Sequence, residues 1–234
     1  MVPQFGFVAG PLGLALPGSP AAAQEMDPDA PDYDPLEDDS PWDEPASPAP
    51  PPSTRPEPRF LLEAPERTPH HHQNEITLTA SSVADGWVDL RPCHSHVTAI
   101  RRRVIVYNEE TIDALRVEST RGIEAARADE DRVDLRGVER DAEVCITARM
   151  RSLEDAGEGV YELVNGPFQR KFPDSYLPMR VTPTVSRGEL DMRLEETGPR
   201  EQEGFEVVHS DHGFMIDTLF KGELRTRMHL RNHH

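Results

Sequence analysis

From Glu75 onward, apolar and polar residues alternate with a period of two. The stretch "EITLTA" (Glu75–Ala80) sets Ile76 and Leu78 against Glu75, Thr77 and Thr79. Successive side chains of a strand point to opposite faces, so this alternation predicts a half-buried β-strand. "HVTAIRRRVIVYN", "IDALRVEST", "RVDLRGV" and "AEVCITARM" follow, and then "GVYELV", "MRVTPTVS", "ELDMRLEE", "FEVVHS" and "FMIDTLFKGELRTRMHL". Most are separated by Gly, Asp, Asn or Pro. About eight to ten short strands predict an all-β domain, an antiparallel β-sandwich of immunoglobulin-like or related type. Glu109–Leu115 also reads as one helical turn, and Thr120–Asp131 as helix or loop. Two small β domains, split near "LVNGPFQRKFPDSYLP", are the alternative arrangement.

Ahead of this region the alternation stops and composition changes. Of 23 prolines, 17 fall at or before Pro69, together with 13 acidic and 3 basic residues. That stretch therefore carries −10 of the chain's net charge of −18. It holds too little apolar surface to offset the entropy of ordering it. Residues 24–72 are expected to be a disordered, acidic, Pro-rich linker, with residues 73–234 as the β domain. Within the linker, Tyr33, Leu36 and Trp42 would be the anchors if the acidic run docked on a basic partner. Net acidity argues against nucleic acid as the partner.

The first residues point to export. Phe5–Leu16 is an apolar stretch of signal-peptide length, too short to span a bilayer. Ala21 and Ala23 then supply the small residues of a cleavage site before Gln24. Residues 1–23 are expected to be a signal peptide, and the mature chain periplasmic or secreted. No Lys or Arg precedes Phe5, as a start placed too far downstream would produce. No later run is apolar and long enough for a transmembrane helix.

Export gives the two cysteines, Cys93 and Cys145, an oxidising setting, and a disulfide between them is expected. A metal reading competes for the same region. His94 and His96 would share one face of a regular strand, Cys93 taking the other. With His209 or His212 as a further ligand, they would suit copper or zinc. Three adjacent histidines, His70-His71-His72, close the linker with no fixed geometry to hold a metal. Arg101-Arg102-Arg103 reads as a charged edge strand.

The segment "NGPFQRKFPDSYLPMR" concentrates aromatic and basic residues in an acidic chain. Phe168, Arg170, Lys171, Phe172, Tyr176 and Arg180 are the candidate partner-binding residues, since aromatics and arginine dominate recognition hot spots. The bland alternative is a loop whose aromatics plug the core. No G-x-S-x-G, H-E-x-x-H, P-loop or G-x-G-x-x-G occurs. These features predict a non-enzymatic envelope protein, without a cofactor, that recognises a protein or glycan. A periplasmic copper or zinc protein using His94 and His96 is the alternative, and a hydrolase without a recognisable motif the third.

Overall fold

Alternation becomes structure almost wherever it occurs. The computed structural model describes residues 56–172 and 175–233. The expected signal peptide, and the linker as far as residue 55, lie outside the described residues. The chain runs through β1 (Arg59–Phe60), β2 (His70–Thr77), the short helix α1 (Ala80–Asp85), β3 (Trp87–Val97), β4 (Ile100–Val106), β5 (Ile112–Ala128) and β6 (Arg132–Arg151). It continues through β7 (Leu153–Gly157), β8 (Val160–Gln169), β9 (Lys171–Phe172), β10 (Ser175–Tyr176) and β11 (Met179–Ser186). Then come β12 (Met192–Gly198), β13 (Phe205–Ser210), β14 (Gly213–Lys221) and β15 (Glu223–Asn232).

The fold is all-β, with one sheet mixed. Nine strands form the larger sheet, along the path β1-β14-β11-β2-β3-β6-β4, with β13 added on β14 and β5 on β6. Four strands, β12-β15-β8-β7, form a second, antiparallel sheet. The expectation of purely antiparallel pairing fails at one place: β2 and β11 pair in parallel, Met179 opposite His70 through Ser186 opposite Thr77. About a hundred residues separate these strands, ample for the long crossover that a parallel pair needs. Inward residues of both sheets build one core, including Ile76, Val181, Ile216 and Phe220 from the larger sheet and Leu163, Leu224 and Met228 from the smaller.

Two boundaries differ from the sequence expectation. Phe60 lies within the assigned linker, yet its strand pairs with β14 and its ring packs 5.5 Å from Phe205. Strand β2 begins at His70, not after His72. Backbone pairing to an existing strand needs no hydrophobic composition, so these residues join the sheet without the signal that marks Glu75 onward. Glu109–Leu115 contains a turn at Asn108–Thr111 followed by strand, and Thr120–Ala128 is strand rather than helix or loop. The unexpected helix α1 is held by reciprocal bonds: Ser82 N–H donates to Thr79 Oγ1 at 3.3 Å and Thr79 N–H to Ser82 Oγ at 3.1 Å.

Strand β6 must bend back on itself. Tyr107 N–H donates to Asp131 O at 2.7 Å, and Arg151 N–H donates to Thr111 O at 2.8 Å. The four steps from Tyr107 to Thr111 span at most roughly 14 Å. A straight strand of the length of β6 would span about 66 Å. The bend coincides with left-handed backbone at His96, Gly122, Gly137 and Asp141, whose φ lies between 53° and 67°. Register shifts between His94 and Val97 and between Arg121 and Ile123 fall at the same level. Bulges increase local twist and bend a strand, so three neighbouring strands bulged together crease the sheet. A second core of Val97, Val133, Leu135, Val138, Ala142, Val144 and Ile146 fills the fold of the crease.

Candidate functional site

Strand β2 delivers His70, His72, Asn74 and Ile76 inward, by simple alternation. The first three are polar, and His70, His72 and Asn74 are all buried, at 8%, 7% and 3% exposure. His94, opposite His72 on β3, is 5% exposed. His70 Nε2 lies 3.0 Å from His94 Nδ1. The His72 ring lies 4.3 Å from His94 and meets Phe168 edge-on at 5.0 Å. Asn74 Nδ2 donates to Asn165 Oδ1 at 3.3 Å, bridging the two sheets.

Burial keeps these imidazoles neutral. It pushes the His94 pKa down to about 4, with the Arg103 charge adding to the effect. His70 and His72 are also held well below the ordinary histidine value, again chiefly by burial. The hydrogen bond between two neutral rings uses one N–H and one lone pair. If His94 Nδ1 donates, its Nε2 is a buried lone pair; if His70 Nε2 donates, His94 Nε2–H is a buried donor. In either tautomer His94 Nε2 has no partner, and neither has His72 Nε2. Asn74 Oδ1, Asn165 Nδ2, Arg103 Nε and Tyr107 OH are likewise buried and unpaired. Buried polar atoms are normally hydrogen-bonded, so these exceptions make the region the candidate site.

Two arginines complete the cluster. Arg103, on β4 beyond the crease, and Arg170, between β8 and β9, are half-buried and both lie close enough to act on His70. Arg170 also donates to Thr98 Oγ1, in the link between β3 and β4. Burial lowers the pKa of each guanidinium, and Arg103 lowers that of Arg170 further. Neither has a carboxylate partner among the described residues. Other arginines differ: Arg91 reaches Glu118, Arg121 reaches Glu143, and Arg227 reaches Glu162.

Above this corner stands the β9–β10 hairpin. Lys171 pairs with Tyr176, and Leu177 N–H closes the base by donating to Arg170 O at 2.9 Å. Met179, just after the hairpin, is the register partner of His70. Two regions singled out from sequence, the cysteine-histidine stretch and the aromatic-basic segment, therefore meet here. The six candidate partner-binding residues divide by environment. Phe168 is core, at 6% exposure; Arg170 joins the cationic corner; Lys171 is exposed and Tyr176 half-buried. The Phe172 side chain lies outside the described residues. Arg180 projects from the opposite sheet face and pairs with Asp217.

The four histidines expected as metal ligands are not brought together. His94 points inward, whereas His96 is exposed, has φ 53° and lies 3.5 Å from Asp141. The bulge breaks the regular alternation that put the two on one face. His209 lies on β13, four strand steps from β3 by way of β14, β11 and β2, a separation of about 19 Å at ordinary strand spacing. His212 sits in the turn just beyond β13. Among the described residues, no three His, Cys, Asp or Glu side chains are arranged to hold a metal ion. Cys93 is bonded to Cys145, its direct partner across β3 and β6, with Cα atoms 4.1 Å apart.

On the outer face, Thr182 Oγ1 donates to Asp217 Oδ1 at 3.3 Å and accepts from His71 Nε2 at 2.8 Å. The carboxylate contacts the hydroxyl rather than the imidazole, the reverse of a Ser-His-Asp relay. Burial, then Arg180, lowers the His71 pKa, so the row acts as a polar ladder across β2, β11 and β14.

His70, His72 and Arg103 were not among the site residues expected from the sequence, where the histidines read as the end of the linker and Arg103 as part of a charged edge strand. No signal marked the two histidines: residues 70–74 are polar throughout, and His70, His72 and Asn74 share the inward face of Ile76 only once the strand is known to start at His70. No protein-family model matches the chain, and no curated protein matches it.

Proposed function

We propose that this chain is an exported, non-enzymatic binding protein of the cell envelope, periplasmic or secreted, that recognises a protein or glycan at its hairpin end. The observation that carries the reading is Arg170 at the base of the β9–β10 hairpin, with the Arg103 charge close enough to act on it, and neither arginine with a carboxylate partner among the described residues. Half-buried cations that lack an internal counter-charge are suited to an external one. The Cys93–Cys145 disulfide supports an oxidising compartment, in line with the Ala21 and Ala23 cleavage site. No helix among the described residues is long and apolar enough to cross a membrane. The shared core of two sheets fits a sandwich related to the immunoglobulin type, with its binding site at one end.

Retention of envelope components by the full chain tests the reading. The wild-type protein is expected to retain a protein or glycan from envelope extract. Lys171→Glu and Tyr176→Ala are expected to lose it while melting as the wild type does, whereas Arg180→Ala retains it. Equal retention by the hairpin variants overturns the proposal.

A further inference from the structure

Resting on that reading, we infer that Arg103 and Arg170, together with Thr98 and His70, form a site for the oxyanion of an acidic ligand, a carboxylate or a phosphate. Hydrogen bonds position two of these groups. Arg170 is fixed by its bond to Thr98 Oγ1, and His70 by its bond to His94. Arg103 Nε is buried without a partner, and so is His94 Nε2 behind it. Two guanidinium groups repel one another, and removing them partly from water adds to the penalty. An anion placed between them reverses both effects, and the planar guanidinium fork matches the oxygens of a carboxylate or phosphate.

The chain's overall charge adds to the contrast. At a net charge of −18, carboxylates are abundant, yet none is positioned against these two arginines among the described residues. Arg101, two residues away on the same strand, is exposed and adds long-range attraction without desolvation. The buried part of the site would supply specificity, the exposed arginine association rate.

Thermal melts at constant ionic strength, with inorganic phosphate or glucuronate replacing chloride, test the inference. A hundredfold excess of ligand over its Kd multiplies the folded-to-unfolded ratio by about 100, raising the melting temperature. The wild-type protein is expected to show this rise with at least one probe. A response to phosphate alone identifies a phosphorylated ligand, and a response to glucuronate a carboxylate from an acidic glycan or protein. Arg103→Gln and Arg170→Gln are expected to weaken binding at least about tenfold, and Arg101→Gln to slow association and weaken binding far less than either. Should Arg103→Gln fail to fold, Arg103→Lys keeps the charge but loses the fork, and is expected to weaken binding as well. In parallel, the His70 imidazole resonances are expected to titrate at higher pH with ligand bound. No rise with either probe, or a rise kept by the Arg103→Gln/Arg170→Gln double variant, overturns the site. Oxyanion binding with envelope retention indifferent to the hairpin variants supports the site and overturns the recognition reading.

Discussion

His70 Nε2 and His94 Nδ1 stand 3.0 Å apart across the β2–β3 pair, both rings buried and both held below the ordinary histidine pKa. Protonating either ring in place would put a charge beside the other and beside Arg103. The folded protein therefore excludes protons that its unfolded chain accepts.

Acid stability follows from that difference. The folded-state His94 pKa is about 4, against 6.5 for an unperturbed histidine. The lowered value means that the unfolded chain binds more protons throughout that window. Stability present above 6.5 is lost as pH falls toward 4, by on the order of 3 kcal/mol from His94 alone. His70 and His72 shift in the same direction and deepen the loss. Urea midpoints measured across the window are expected to fall steadily with pH, and less steeply in His94→Gln. A flat midpoint across the window would contradict neutral burial of the three rings.

The disulfide joins residues 52 apart in sequence. Closing a loop of that length removes about 4 kcal/mol of chain entropy from the unfolded state in the chain-entropy model. Denatured, unreduced protein is expected to contain no titratable thiol. The Cys93→Ser/Cys145→Ser double variant is expected to lose about 2–5 kcal/mol. An unchanged denaturation midpoint in the double variant would mean that β3 and β6 hold their register without the bridge.

Phe168 and Arg180 were candidates of one kind in the sequence and are expected to behave oppositely. Phe168 packs on His72 within the core, so Phe168→Ala should cost about 3–5 kcal/mol. Arg180 pairs with Asp217 on a partly solvated face, where such a pair contributes roughly 0–1 kcal/mol. Equal effects in chemical denaturation would show that Phe168 is not a core residue.

Most strands and the disulfide pairing were legible in local pattern and composition, whereas β1, the start of β2 and the second half of β5 were not. Period-two alternation is local, so Ile76, Leu78, Val181 and Val185 announce their inward faces without knowledge of neighbours. Cys93 and Cys145 are the chain's two cysteines, so a disulfide within the chain had a single pairing open to it. Tertiary structure decided the rest. Whether His94 faces His70 or His96 depends on the bulge at His96, whose left-handed backbone is matched by Gly122 and Asp141 on strands distant in sequence. Whether His70 belongs to a linker or to a core depends on its pairing with Met179, more than a hundred residues away. Arg103 and Arg170 become neighbours only because the sheet creases and the hairpin returns over the same corner. Register and curvature are properties of strand pairs, and a side chain one position out of register lies on the opposite face. Residue patterns along one strand therefore specify that a face is buried, while its partners are set by strands paired from elsewhere in the chain.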